Sequence, residues 1–111
     1  MATEIRQAPS KRRYVRVHGP FDADHLDAQQ TPVLIYDLNL GGGFVSFGED
    51  REPAGATLRL KIDLPREGPI IVNAEMVYRD TKGVAVRFVD LDRDSASRLT
   101  RTIDSMRELG M

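Results

Sequence analysis

Four cationic side chains lie close together near the N-terminus, within Ser10-Lys11-Arg12-Arg13-Tyr14-Val15-Arg16. Arg12 and Arg16 each carry a planar guanidinium group that can form two parallel hydrogen bonds with a phosphate or with the edge of a guanine. Charge runs are also common as solvated surface, so a basic tail without a specific ligand is the alternative. The segment predicts an anion-binding arm centred on Arg12 and Arg16, with Lys11 and Arg13 as additional candidates.

A second polar group lies at Asp37 and Asn39, just before the glycine triplet at 41–43. In an extended strand these two side chains project to one face, opposite the face of Tyr36 and Leu38. An ionised aspartate accepts two N–H donors, which suits the N1–H and the N2 amino group of guanine. Asp and Asn before Gly are also ordinary turn-forming residues, so turn formation is the alternative for this pair.

Other combinations of reactive residues indicate neither a catalytic nor a metal site. The glycine triplet lacks the Gly-Lys-Ser/Thr pattern and the following helix of a phosphate-binding loop, so we interpret it as a tight turn with positive φ. His18 and His25 do not have a recognised metal-ligand spacing. Ser46 is not surrounded by the Gly-x-Ser-x-Gly pattern of a hydrolase nucleophile. We therefore expect no enzyme activity, no metal and no cofactor.

The composition is typical of one soluble globular domain. The chain has 111 residues, of which 41% are hydrophobic and 30% charged, with a formal net charge of −1. It contains no cysteine, which excludes disulfides, thiolate metal sites and a cysteine nucleophile. No apolar run approaches the roughly 20 residues that span a bilayer, and the N-terminus does not resemble a signal peptide. We expect a cytoplasmic protein without membrane insertion.

Alternation of apolar and polar residues predicts five or six antiparallel β-strands joined by short turns. An extended segment begins at 14–17, and Phe21 and Leu26 suggest a short edge strand. The clearer strands are expected at 33–38, 44–47, 57–63, 70–79 and 84–89. In the strand at 70–79, Met76 and Tyr78 are expected on the face of Ile70. A small sheet of this kind protects its edges best by curling into a barrel.

The period changes after Asp90 to that of an amphipathic helix at about 93–109. Asp92 or Asp94 can cap its first turn, and Gly110 ends it. Its apolar stripe consists of Leu99, Ile103 and Met106. We expect residues 1–10 to be a mobile lead-in and residues 11–111 to form a single domain.

The combination of the two polar motifs, a small β-barrel and a terminal helix resembles the PilZ domain, the bacterial receptor module for cyclic di-GMP. The family motifs are Arg-x-x-x-Arg and Asp/Asn-x-Ser-x-x-Gly. Here they read Arg12-Arg13-Tyr14-Val15-Arg16 and Asp37-Leu38-Asn39-Leu40-Gly41-Gly42. Gly83-Val84-Ala85-Val86-Arg87-Phe88 is similar to the family's closing strand. The resemblance implies a mainly β fold: a six-stranded antiparallel barrel with one C-terminal α-helix and a flexible N-terminal arm.

The resemblance also implies a ligand, cyclic di-GMP, and a mode of signalling. The implied binding residues are Arg12, Arg16, Asp37, Asn39 and Gly42, with Lys11 and Arg13 as further candidates. The arm is expected to fold over the barrel when the nucleotide binds, and an unidentified downstream protein is expected to recognise the change. The residue before the first motif arginine is linked in this family to ligand number, and the cationic Lys11 favours a stacked pair.

One departure from the family pattern leaves a second hypothesis open. Asn39 stands where the family usually has Ser, and its longer side chain alters the guanine contact. The chain is therefore either a stand-alone cyclic di-GMP receptor or a divergent PilZ module that binds proteins and not the nucleotide. A nucleic-acid-binding barrel is disfavoured because the nearly neutral chain has no broad basic face.

Overall fold

Six antiparallel strands and one helix make up the computed structural model of this chain, which describes residues 16–26, 30–47 and 57–108. The elements are β1 Phe21–His25, β2 Thr31–Asn39, β3 Gly42–Ser46, β4 Thr57–Leu64, β5 Gly68–Arg79, β6 Val84–Val89 and α1 Arg93–Glu108. The strands close into a barrel in the order β1-β2-β3-β6-β5-β4. This confirms the predicted mainly β fold with a C-terminal helix. The predicted arm lies outside the described residues except for its last part, which begins at Arg16.

The barrel core is built from the inward-facing residues of the alternating strands. In the β4–β5 pair, Leu60 lies opposite Val72 and Ile62 lies opposite Ile70, and all four side chains are buried. Their outward neighbours on β4 are charged, which is why the period of two was visible in the sequence. Burying apolar surface stabilises such a core by about 25 cal/mol per Å².

Strand β1 is not an edge strand, contrary to the prediction. It pairs with β2 on one side and with β4 on the other. Barrel closure supplies the second neighbour, so the backbone of β1 has hydrogen-bonding partners on both sides. Leu26 lies beyond the end of β1, and its backbone N–H donates to the carbonyl of Arg59 at 2.7 Å.

Strand β5 contains a register shift between Met76 and Tyr78. One additional residue in a strand reverses the faces of the side chains that follow it. Ile70 is buried as expected, but Tyr78 is 58% exposed. The prediction that Tyr78 shares the face of Ile70 was therefore wrong.

The glycine triplet is divided between a turn and a strand. The turn consists of Leu40 and Gly41, whereas Gly42 and Gly43 already belong to β3. The prediction that all three glycines form a tight turn was wrong for the last two. A Cβ atom at Gly42 would lie only 2.0 Å from the carbonyl oxygen of Val86. Gly42 is thus required by close approach of β3 to β6.

Helix α1 begins after Asp92, which is one of the two residues predicted to cap it. The Asp92 Oδ2 atom accepts a hydrogen bond from the backbone N–H of Ser95 at 3.0 Å, and hydrogen bonds from Ser95 lower the pKa of the Asp92 carboxyl. The predicted stripe packs inward, with Leu99 and Ile103 buried and Met106 partly buried. The predicted helix residues after 108 and the stop at Gly110 lie outside the described residues.

The turn between β4 and β5 fixes α1 against the barrel. Arg98 Nη1 donates to the backbone carbonyl of Glu67 at 2.6 Å. Arg101 donates to Glu67 Oε1 from Nη2 at 3.0 Å and from Nε at 3.1 Å, and this interaction lowers the pKa of Glu67. In the described ranges, no helix is long and apolar enough to cross a membrane.

Candidate functional site

The end of the N-terminal arm is attached to β2 by backbone hydrogen bonds. Val17 and Leu38 exchange two of them, at 2.9 Å and 2.8 Å. The carbonyl of His18 accepts a third from the backbone N–H of Asp37 at 3.1 Å. The side chains of Val17 and Leu38 are both buried in the core. Arg16 is therefore fixed next to the strand that carries the second motif.

The attachment brings the two predicted motifs together at Asp37. Arg16 Nη2 lies 3.6 Å from Asp37 Oδ2, and His18 Nδ1 lies 3.2 Å from Asp37 Oδ1. The side chains of Arg16 and Asp37 are 34% and 36% exposed. An ion pair with this exposure stabilises a protein by about 0–1 kcal/mol, so a ligand can replace it at little cost.

Asp37 reaches this position because β2 contains a bulge. The register with β3 shifts between Tyr36 and Asn39, and Asp37 has a φ of 53°. As a result Leu38 is buried, whereas Tyr36 and Asp37 both lie on the outer surface. The prediction that Tyr36 and Leu38 share one face was wrong. Asp37 and Asn39 nevertheless line the same groove.

The side chain of Asn39 is engaged in the β2–β3 turn. Its Oδ1 atom accepts a hydrogen bond from the backbone N–H of Gly41 at 2.7 Å. Its Nδ2 atom donates to the carbonyl of Asp37 at 3.1 Å. The alternative interpretation, turn formation, therefore describes Asn39. An amide group retains a second N–H and further lone-pair capacity, so these two bonds do not exhaust its hydrogen-bonding capacity.

Next to this turn lies an open groove of about 580 Å³. Strands β2, β3, β5 and β6 and the β2–β3 turn form its walls. Its lining residues are Arg16, Asp37, Asn39, Leu40, Gly41, Gly42, Gly43, Phe44, Tyr78, Ala85, Val86, Arg87 and Phe88. The groove thus contains four of the predicted site residues, Arg16, Asp37, Asn39 and Gly42. Lys11, Arg12 and Arg13 lie outside the described residues.

Two groove residues with polar side chains, Arg87 and Tyr78, were not identified as site residues from the sequence. Arg87 lies opposite Gly42 in the β3–β6 pair, and its guanidinium contacts the carboxylate of Glu75. Its outward position in the closing strand, facing a glycine, was the available signal. Tyr78 was missed because the bulge in β5 turns it outward against the expected alternation.

The described residues of the groove provide a set of groups for recognition. Two guanidinium groups can donate hydrogen bonds, one carboxylate can accept them, and Phe44 and Tyr78 provide aromatic surface. Within 16–26, 30–47 and 57–108, no group of three or more histidine, aspartate or glutamate side chains is arranged to hold a metal ion. The arrangement suits an anionic ligand with flat, hydrogen-bonding rings.

Comparison with known proteins agrees with this architecture. The PilZ domain family model matches residues 10–105. Among solved structures, the chain is similar to the PilZ domain, with c-di-GMP, of YcgR from Escherichia coli. The TM-score is 0.71 at 19% identity, covering 90% of this chain and 94% of that chain. No match was found among curated protein sequences.

A second similar structure is the inhibitor of motility MotI/DgrA from Bacillus subtilis, with a TM-score of 0.68 and 20% identity. That match covers 87% of this chain and 52% of MotI, so the chain spans about half the length of that protein. At these identities the likeness to solved structures shows the fold alone. The family match spans most of the chain, and the chain belongs to the PilZ domain family.

Proposed function

We propose that this chain is a cyclic di-GMP receptor and adaptor that acts in the cytoplasm without catalysis. In this proposal residues 11–111 work as one domain after a lead-in of residues 1–10. Membership of the PilZ family and similarity to a YcgR domain whose structure contains c-di-GMP support the nucleotide as ligand. The proposed ligand contacts are Arg12, Arg16, Asp37, Asn39 and Gly42.

The observation that carries this proposal is the position of Arg16 beside Asp37 at the groove. Arg16 can exchange its exposed ion pair, worth about 0–1 kcal/mol, for charge-assisted hydrogen bonds to a phosphate or a guanine edge. Such bonds contribute about 1.5–3 kcal/mol each. The released Asp37 carboxylate then accepts from the N1–H and N2 amino group of guanine. The exchange therefore favours the bound state.

The first arginine of the Arg-x-x-x-Arg motif, Arg12, supplies the signal. Arg12 precedes Arg16 by one Arg-x-x-x-Arg interval, so binding of the nucleotide brings Arg12 and the preceding arm over the barrel. A downstream protein then recognises the closed arm. Ordering a segment on binding lowers affinity but makes the response depend on the ligand. The cationic Lys11 favours a stacked pair of nucleotides over a single one.

A calorimetric titration with three variants tests this proposal. Wild type should bind cyclic di-GMP, and Arg12→Ala and Arg16→Ala should each lose about 1.5–3 kcal/mol of binding free energy. Arg59→Ala is the matched control, because Arg59 is an exposed arginine on β4, outside the groove. Absence of heat from wild type at high micromolar ligand in low salt would contradict the proposal.

One observation favours a second candidate, a divergent PilZ module that binds a protein partner and not the nucleotide. Both polar atoms of the Asn39 side chain already form hydrogen bonds within the β2–β3 turn. Asn39→Ser restores the usual family residue and separates the candidates. A receptor binds cyclic di-GMP with either residue, whereas a divergent module gains measurable nucleotide binding only as the Asn39→Ser variant.

A further inference from the structure

A row of side chains crosses the outer surface of the barrel beside the groove. Tyr36 lies opposite Phe44, Phe44 lies opposite Ala85, and Ala85 lies opposite Tyr78. All four residues are exposed or partly exposed. Three of the four carry aromatic rings, and the small Ala85 interrupts the aromatic series between Phe44 and Tyr78.

The interruption leaves an open slot between two rings. Adjacent strands are about 4.8 Å apart, so the backbones of Phe44 and Tyr78, one strand on either side of Ala85, are about 10 Å apart. Both side chains line the groove together with Ala85. Among the described residues the aromatic ring contact is between His25 and Phe47, and Phe44 and Tyr78 do not contact each other.

Small residues at the start of β6 make room for the Phe44 ring at Gly83 and for the slot at Ala85. Gly83 precedes β6, and a Cβ atom there would lie 2.9 Å from the Phe44 ring atom Cε2 and 2.2 Å from the carbonyl oxygen of Val45. The next outward position is Ala85, so only a methyl group forms the floor of the slot. The β5 bulge completes it by turning Tyr78 outward.

Hydrogen-bonding groups stand at the margin of the slot. Arg87 is two residues beyond Ala85 on the outer face of β6, and Arg16 and Asp37 line the same groove. A flat ring standing upright on the methyl group of Ala85 would have an aromatic side chain beside each face and charged donors and an acceptor at its edges. Purine bases have this combination of flat surface and polar edge.

We propose that one purine base of the bound nucleotide binds at Ala85, between Tyr78 and Phe44, and stacks against both rings. This inference rests on the proposed cyclic di-GMP function and adds a size limit to it. Stacking accepts any base, so the slot supplies affinity while the arginine and aspartate groups select guanine. Ala85 therefore determines, through its small size, whether the site accepts a base at all.

Nucleotide titrations of slot variants test the proposal. Ala85→Leu fills the floor and Tyr78→Ser removes one ring, and each should weaken cyclic di-GMP binding about five- to a hundredfold, the range of base–aromatic stacking. Tyr78→Phe retains the ring and should bind like wild type. Asn73→Leu is the matched control, since it places the same side chain on the outer face of β5 away from the groove.

The outcomes distinguish this inference from the function on which it rests. If wild type binds and both Ala85→Leu and Tyr78→Ser bind equally well, the slot proposal is overturned while the receptor proposal stands. If neither wild type nor Asn73→Leu binds, the receptor proposal fails and the slot proposal fails with it. If Ala85→Leu no longer unfolds cooperatively on heating, it is not folded like wild type. The comparison of Tyr78→Ser with Tyr78→Phe then decides whether the base stacks in the slot.

Tyrosine emission gives a second readout. The chain has three tyrosines and no tryptophan, so Tyr14→Phe combined with Tyr36→Phe leaves Tyr78 as the sole tyrosine. Saturation of this variant with cyclic di-GMP should quench the Tyr78 emission after correction for nucleotide absorbance. Adding Ala85→Leu should abolish the quenching. Undiminished Tyr78 emission in the saturated complex would overturn the stacking.

Discussion

Asp37 is the residue through which the two motifs meet, since its carboxylate lies beside both Arg16 and His18. Guanine offers a carboxylate two donors, whereas adenine has no N1–H and no N2 amino group. We therefore predict that Asp37→Asn loses about 1.5–3 kcal/mol of cyclic di-GMP binding and most of its preference over cyclic di-AMP. Calorimetry with both nucleotides measures this preference.

Asp22→Asn is the control for this prediction, because Asp22 is an exposed aspartate on β1 outside the groove. The control should keep both the affinity and the preference of wild type. An Asp37→Asn protein that still discriminates between the two nucleotides as wild type does would remove the assigned role of this carboxylate.

The Asn39 side chain supports the turn that carries the glycines. Asn39→Ala removes two hydrogen bonds, each worth about 0.5–1.5 kcal/mol, and should lower the free energy of unfolding by about 1–3 kcal/mol. Urea unfolding measures the loss. Asn73→Ala, at an exposed asparagine on β5, should leave the stability nearly unchanged. Equal stability of the two variants would show that the turn does not depend on Asn39.

Single residues show where reasoning from sequence succeeds. The meeting of Arg16 and Asp37 was predicted from two motifs, because the residue types and their order carry that information. The turn role of Asn39 was foreseen as one of two alternatives, since Asn before Gly is compatible with either. Sequence alone could not decide between them, because the choice depends on the distances from its amide group to Gly41 and Asp37.

At the scale of elements, two bulges determine the site and neither was visible in the sequence. One additional residue in a strand does not alter composition, but it changes which side chains face outward. The bulge in β2 exposes Asp37, and the bulge in β5 exposes Tyr78. The strands themselves were predictable within a few residues of their ends because most of their length alternates regularly. The irregular positions are those that face the groove.

The contact between β3 and β6 depends on Gly42. Gly42→Ala would place a Cβ atom 2.0 Å from the Val86 carbonyl oxygen, a rigid backbone neighbour. We predict a loss of about 1–3 kcal/mol in unfolding free energy, as for other overpacked sites, together with weaker nucleotide binding. Gly43→Ala is the matched control, since a Cβ atom at Gly43 would lie 3.2 Å from its nearest neighbours. This variant should lose less unfolding free energy than Gly42→Ala. An equal loss in both variants would contradict this assignment.

Helix α1 should be sensitive to acid through its cap. The pKa of Asp92 is lowered by hydrogen bonds from Ser95, so the charged carboxylate stabilises the fold above its ordinary pKa of about 3.9. This contribution is lost as the pH falls through the lower pKa of the folded state. Asp92→Asn retains a capping oxygen without the charge. Its deficit against wild type in thermal unfolding should shrink as the pH falls through this range.

The pKa of Glu67 is also lowered, but Glu67 is present in both wild type and Asp92→Asn. Its contribution to the pH dependence of stability therefore cancels in the difference between the two proteins. A stability difference that stays constant from neutral to strongly acidic pH would show that the charge of Asp92 does not contribute to the cap.

At the scale of the whole molecule, the closed barrel confines the groove to one part of its outer surface. The groove uses β2, β3, β5 and β6, whereas β1, β4 and α1 contribute no residue to it. The barrel itself was predictable, because a small antiparallel sheet has to protect its edges. The position of the groove was not, since it follows from the strand order and from the attachment of Val17 to Leu38.

The most direct test of the central claim is to titrate the isotope-labelled protein with cyclic di-GMP and follow the backbone amide resonances by NMR. The account predicts saturable shifts at Arg12, Arg16, Asp37 and the glycines at 41–43, with small shifts at Asp22 and in α1. Absence of saturable shifts, or shifts confined to the β1 surface or to α1, would contradict a nucleotide site formed jointly by the arm and the groove.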